Sequence, residues 1–534
     1  MSILRVGGFN GENRALHPYL LPETVGTVCT NVKPGRGDMR PWKAPLTVAT
    51  IPASRGTIHR MGRDVASDTR YWLSWPGTVH AVVAPNAADT AERTYYTGDG
   101  APKWTNTLLA IAGASYPNAY RDLGVPAPAT ACLLSASGGV STVMETRFYT
   151  YTYVTAYGEE SAPNPSPTQI NCKEDDTVTI YSMAAAPSGS HEINRIRVYR
   201  TEADSEGTGN FFEVREIPIG PTTTDTNLPL GGLLATTTWL PPDPGMTHLT
   251  GLWNGMMAGI AGRAIRFCEA YTYYAWPIGY EILPSNAQPV AQATFGQNLV
   301  VLTNGNPSII TGSSPDAMDE APMEFAQACV APLSAVGVGH GVVWASPDGL
   351  CYVGQGGARV LTQGVMTRDD WQLINPTSIK GAFYEGRYFG FYNDGTAKAF
   401  IYDFANPNGM TFLDFGCTAV HLDELQDALF VLNGTSVQKF DAGTLLTARF
   451  VSKRFKMPKP TVGFSCAEVV ADSYPATFKL YADGVLKHTQ SVTSAQAFRL
   501  PSGYHANDFQ IELSGNVNIQ GAAVAHSMIE LGTT

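Results

Sequence analysis

Charge is scarce in this sequence: Asp, Glu, Lys and Arg together make up 15% of its 534 residues. Acids outnumber bases by 46 to 35, and the formal net charge is −11. That balance excludes a protein that grips nucleic acid over a broad basic surface, although not one that lets nucleic acid pass. Cysteine is sparse and dispersed. Cys29, Cys132, Cys172, Cys268, Cys329, Cys351, Cys417 and Cys466 fall singly, with no C-x-x-C pair and no matching histidine spacing. A structural zinc site needs clustered soft ligands, so no metal and no cofactor is expected. The thiols read instead as small buried apolar side chains of a reducing compartment. No window approaches the ~20 apolar residues that a membrane helix requires. Residues 1–11 show no apolar core of a secretory signal, so synthesis in the cytoplasm is expected. Catalytic signatures are missing as well: there is no G-x-S-x-G elbow, no H-E-x-x-H and no P-loop. No catalytic residue is assigned, and no enzyme is expected.

Glycine (53) and proline (36) are plentiful, which suits short strands joined by many turns. Hairpin signals recur at Pro76-Gly77, Gly259–Arg263, Asn304-Gly305, Asp348-Gly349, Asp394-Gly395 and Asn433-Gly434, each between apolar runs. From Ile260 onward these turns recur roughly every 40–50 residues, the period of a four-stranded propeller blade. Such a blade has a face it cannot bury alone, so its neighbours must cover it. A much longer gap, from Gly77 to Ile260, holds a different pattern. TRFYTYTYVTA and NRIRVYR alternate bulky and polar residues as half-buried strands do. After Asp441 the beat stops, and another alternating set follows with a hairpin at Asp483-Gly484. The expected fold is therefore all-β: a β-propeller with an inserted fibronectin III-like β-sandwich and a terminal β-sandwich or platform. The expected divisions are an N-terminal arm over 1–58, a first blade region over 59–140, and the insert over 141–245. The remaining blades would occupy 246–445. The terminal sandwich would occupy 446–534 and pack with the arm.

Several smaller motifs have ordinary readings. Arg36-Gly37-Asp38 is the tripeptide that adhesion receptors read, but it sits in a Gly- and Pro-punctuated turn that accounts for it. Ser346-Pro347-Asp348-Gly349 resembles a truncated sialidase box, and Asp414, Asp423, Glu424 and Asp427 are close in sequence. A glycosidase needs a positioned pair of carboxyl groups, and none can be picked out. The run Lys453-Arg454-Phe455-Lys456-Met457-Pro458-Lys459 has four bases and no acid. It reads as a lysine-protected edge strand, or as a contact for an acidic partner.

Longer stretches together resemble the tail nozzle (tail tubular protein B-like) proteins of short-tailed bacteriophages. The resemblance begins at HPYLLPETVGTVCTNVKPGRGDMRPWKAP and continues through TYYTGDGAPKWT, TRFYTYTYVTAYGEESAPNPS and IRVYRTEADSEGTGNFFEVREI. It is strongest in FCEAYTYYAWP, QACVAPLSAVGVGHGVVWASPDGLCYV, TRDDWQLINPTSIKGAFYEGRYFGFY and FKLYADG. It implies a structural virion protein of the tail, forming a sixfold ring below the portal and adaptor. That ring would support fibres and let genomic DNA exit without sequence-specific binding. The interface residues it suggests are the apolar anchors Leu20, Leu21 and Trp42 of the arm and the bases Lys453, Arg454, Lys456 and Lys459. An acidic channel wall would repel DNA phosphates; Asp316, Asp319, Glu320 and Glu324 are candidates for it, although a solvated outer loop is their more ordinary home. Two other classes stay open: a receptor-binding or fibre-attachment protein using aromatic loops such as 271–276, and a propeller glycosidase.

Overall fold

A computed structural model describes residues 3–61, 72–84, 92–113, 115–202, 209–285 and 287–532. The chain is all-β and of the β-propeller class, built from small antiparallel sheets. It divides into two compact units, one of 1–76, 286–309 and 322–534, the other of 77–285 and 310–321.

In the first unit the blades are meanders. One runs Val336–Gly337, Gly341–Ala345, Leu350–Gly354, Gly357–Val360, and the next Lys380–Tyr384, Arg387–Asn393, Ala397–Asp403, Met410–Leu413. A third has Ala419–Asp423, Ala428–Asn433 and Ser436–Lys439, and takes its fourth strand, Leu46–Thr50, from the N-terminal arm. Earlier in the chain, Pro289–Phe295, Asn298–Thr303, Ser308–Thr311 and Asp319–Pro322 form another four-stranded sheet. The middle strands of these blades, such as Gly341–Ala345 and Leu350–Gly354, are buried along their whole length. They read as continuous apolar runs because blades cover both faces. First strands of successive sheets lie side by side: Pro289–Phe295 by Val336–Gly337, then Lys380–Tyr384, then Ala419–Asp423, then Thr57–Arg60.

The periodic turns have one structural meaning. Those at Gly259–Arg263, Asn304-Gly305, Asp348-Gly349 and Asn433-Gly434 each join the second and third strands of a four-stranded sheet, and Asp394-Gly395 joins the second and third strands of the blade at 380–413. The Pro76-Gly77 signal differs. Trp72–Trp75 pairs with Thr57–Arg60, whereas His80–Val83 pairs with Thr94–Thr97, so Pro76-Gly77 links two sheets and closes no hairpin. Pro76 lacks the N–H that a ladder needs, which suits a strand exit.

The N-terminal arm is woven into its own chain. Ile3–Gly7 pairs with Ile519–Ala525. Val28–Thr30 lies between Met410–Leu413 and Ala448–Val451, so the blade at 380–413 continues through the arm into the terminal sandwich as one ten-stranded sheet. The sandwich core mixes both ends of the sequence: Leu4, Val6, Phe9, Cys29, Val32 and Met39 pack with Phe450, Phe478, Leu480, Phe509 and Ile511.

In the second unit, His80–Val83, Thr94–Thr97, Lys103–Thr105 and Arg121–Asp122 form one four-stranded sheet, and Thr247–Gly251 through Glu281–Ile282 form another. The inserted sandwich faces a three-stranded sheet (Leu133–Ser137, Thr177–Tyr181, Thr222–Asp225) with a four-stranded one. The latter contains Met144–Thr155, Thr168–Lys173, Ile193–Thr201 and Phe211–Pro218. Its core is aromatic, with Tyr149, Tyr151 and Tyr153 fully buried and their hydroxyls donating to Asp225 and to main-chain oxygens of Thr130, Ala184 and Ala185. Leu133–Ser137 precedes the division drawn at 141: its two bulky residues are adjacent, so no alternation of large and polar residues marks the strand. Residues 203–208, inside one of the resembling stretches, lie outside the described residues.

Candidate functional site

The arm residues picked out as interface anchors separate sharply. Leu21 is 1% exposed and Trp42 is fully buried, whereas Leu20 is 72% exposed. Trp42 fills the core of the blade at 380–440, against Phe389 at 5.9 Å and Phe440 at 5.0 Å. Lys33 Nζ sits 4.2 Å over its ring and pairs with Glu385 at 3.0 Å and Asp441 at 2.8 Å. Leu21 and Trp42 therefore anchor the arm on its own chain and offer nothing to a neighbour. Both are apolar anchors in an irregular segment, and sequence carries no sign of which partner covers them.

The residues just before Leu20 meet the basic run. The Arg454 N–H donates to Pro18 O at 3.1 Å, and Lys456 Nζ lies 5.4 Å over the Tyr19 ring. Tyr19 in turn donates its hydroxyl to Asp508 Oδ2 at 2.9 Å. Lys453 and Arg454 are half-buried, while Lys456 and Lys459 are exposed. The strand Phe455–Val462 pairs with His505–Gly515, but its register breaks between Lys456 and Thr461. Pro458 and Pro460 have no N–H to donate, so this stretch leaves the ladder as a bulge and carries Lys459 outward. The contact joins two chain ends, Pro18 and Tyr19 of the arm to Arg454 and Lys456 of the sandwich, with Leu20 exposed next to Tyr19 in sequence. The pairing of Tyr19 with the buried Asp508 spans almost the whole sequence, so local pattern gives no sign of it.

The first strands of the blades carry little free charge. In the first unit their acidic, basic and imidazole side chains are Arg60, Lys380 and Asp423, with His59 and His421. Arg60 Nη1 pairs with Asp423 Oδ2 at 2.8 Å, both buried, and Lys380 Nζ donates to Thr418 O. His59 and His421 stack edge to face at 4.8 Å. Burial holds His59 down to about 4, and drives His421 well below the usual range, helped by His59 and Arg60. The second unit repeats the arrangement: His80 and His248 lie 4.2 Å apart, held down to about 3 and about 4 by burial. No free acid lies on these strands among the described residues. Asp319 and Glu320 instead occupy the last strand of their sheet, at the edge opposite Pro289–Phe295.

Other candidates resolve as follows. Asp38 Oδ1 is enclosed without a hydrogen-bond partner, while Gly37 O accepts from the Phe9 N–H at 3.0 Å. The Arg-Gly-Asp turn is thus built into the arm, and its carboxylate is not held out for a receptor. In the loop 271–276, Tyr273, Ala275 and Trp276 are buried and Tyr271 alone is largely exposed, so no aromatic platform forms. Asp423 is committed to Arg60, which removes it from the acid group at 414–427. Among the described residues no group of three or more His, Cys, Asp or Glu is placed to hold a metal.

No family model matches the chain, and no curated protein matches it. Solved structures resemble it only distantly. A streptogramin B lyase structure is 11% identical, covering 58% of this chain and 97% of that one, with a TM-score of 0.26. AztD from Citrobacter koseri is 12% identical, covering 70% and 99%, with a TM-score of 0.28. The RRP9 WD40 repeats are 9% identical, covering 59% and 99%, with a TM-score of 0.25. The fold assignment rests on the strand pairing, not on these superpositions.

Proposed function

We propose that this protein is a structural component of a short-tailed bacteriophage tail, a nozzle subunit that assembles as a ring of six copies through which genomic DNA leaves. The observation that carries the reading is the ordered set of resembling segments, spread over nearly the whole chain. In this reading the portal or adaptor and the tail fibres are the protein partners, and DNA passes without being read. The contact of Tyr19 with Lys456, flanked in sequence by the exposed Leu20, supports the assembly half of the proposal, because an exposed leucine near a base suits a partner with acids around an apolar spot. The first strands of the blades carry no free acid among the described residues, so the conduit would be the space enclosed by the ring of copies.

Imaging of particles tests the reading. Density for this chain around the tail axis in six copies is expected. Density only at peripheral fibre positions would replace it with the fibre-attachment reading, and absence from particles would end both. Assembly is tested separately with Leu20→Asp combined with Lys456→Glu, both exposed. The folded monomer should persist while incorporation into particles falls.

A further inference from the structure

The first unit contains a cavity of about 440 Å³ that neither the resemblance nor the assembly surface uses. It is lined by the first strands of three neighbouring blades: Val336 and Gly337, Gly381, Ala382 and Phe383, and Val420 and Leu422, with Gly339 and Glu424 from adjoining turns. Each of those strands ends its sheet, so its outward main-chain edge is not paired within the blade. Glycine at 337 and 381 lets these two strands pack closely against the structure behind them. A Cβ on Gly381 would come within 2.6 Å of the Tyr388 hydroxyl and 2.8 Å of Ser334 O, and one on Gly337 within 2.5 Å of Thr294 O.

One charge faces this apolar lining. Glu424 is exposed at its rim, and neither a hydrogen bond nor an ion pair ties it to another group. The bases on the first strands are already engaged: Arg60 with Asp423, and Lys380 with Thr418 O. The size lies within the ~300–1,000 Å³ of small-ligand sites, which are mostly apolar with a few placed polar groups. An anion would meet the Glu424 carboxylate, and a neutral apolar group would leave that carboxylate partly desolvated. An apolar body ending in a cation satisfies both features.

We propose that this cavity binds an apolar chain or ring bearing one ammonium or guanidinium, its body against Phe383, Val420 and Leu422 and its charge at Glu424. The same chemistry is offered by a free organic amine and by a lysine or arginine side chain in an apolar protein segment. The proposal does not depend on where the protein sits in a particle.

Calorimetric titration of the full chain tests it with three probes of one shape: phenethylamine, 2-phenylethanol and phenylacetate. The amine should bind tightest, ahead of the alcohol by about fivefold, the upper range for a solvent-accessible ion pair. Phenylacetate should bind weakest. Glu424→Gln should erase the amine's advantage and leave the alcohol unchanged. Leu422→Trp, which fills the cavity, should abolish binding of both, with an unchanged thermal midpoint confirming that the variant is folded. An acetylated Leu-Lys-Leu amide run in parallel separates the sources: tighter binding than the amine identifies a protein segment, weaker binding a free amine. Absence of binding by all probes overturns the proposal. So does equal binding of amine and alcohol, or amine binding that survives Leu422→Trp.

Discussion

Arg60 and Asp423 are 363 residues apart in sequence and form a buried ion pair, Nη1 to Oδ2 2.8 Å, between neighbouring first strands. Asp423 also accepts from the Leu425 N–H at 3.0 Å, so the pair fixes the turn after its own strand. Removing one partner leaves a charge in a place with no water to solvate it, at a cost of about 3–5 kcal/mol. Asp423→Asn should therefore lower unfolding free energy by that order in urea. The double change Arg60→Met with Asp423→Asn should lose markedly less. Equal losses would mean that the charges are not coupled.

The paired histidines predict a specific acid response. His59 and His248 are held near 4, and His80 near 3, against an ordinary 6.5. These groups are neutral in the folded chain and protonate more readily when it unfolds. Their contribution is complete above about 6.5 and is lost as pH falls through the folded values. Asp423 opposes the shift of His59, and Arg60 reinforces that of His421. Thermal midpoints should fall steeply between pH 6.5 and 4. His248→Phe together with His80→Leu should flatten part of that fall, and an unchanged profile would show that these rings do not govern it.

Trp42 should act as a stability residue of its own chain. Replacing it with alanine empties a fully buried site under Phe389 and Phe440, and Lys33 loses its stacking partner. A loss of about 3–5 kcal/mol is expected in denaturant unfolding of the dilute monomer. A stable monomer that fails only in assembly would return Trp42 to an interface role. For the same reason, deleting residues 1–45 would remove strands from the terminal sandwich and disturb folding, so it is a poor test of ring formation.

The turns are not equivalent. Asp483 and Gly484 both take positive φ, 47° and 74°, as a type I′ hairpin requires. Gly484→Val should cost on the order of 1–3 kcal/mol in strain. At Asn304-Gly305 neither residue has positive φ. That turn is held by side chains: Thr303 Oγ1 accepts from the Gly305 N–H at 3.0 Å and donates to Asn306 O at 2.6 Å. Replacing Asn304-Gly305 with Val-Val should cost less than Gly484→Val, and Thr303→Val should cost about as much as that pair. Thermal unfolding of the three variants checks the order.

The sequence by itself determined the all-β class, the recurrence of blades and the two interruptions of that recurrence. These are local properties: alternation sets which face of a strand is buried, and turn chemistry sets where strands reverse. Asn-Gly and Asp-Gly marked the right places even where, as at Asn304, the backbone reaches them by another conformation. Tertiary structure alone decided what each apolar anchor touches. Leu20 and Leu21 are adjacent and chemically the same, yet one is exposed and the other buried, because the fold covers only one side of the arm. The pairing of Tyr19 with Asp508, of Arg60 with Asp423, and the loan of Leu46–Thr50 to a blade nearly 400 residues away left no mark in local pattern. Contacts of that separation depend on how the sheets close, which no short window of sequence encodes.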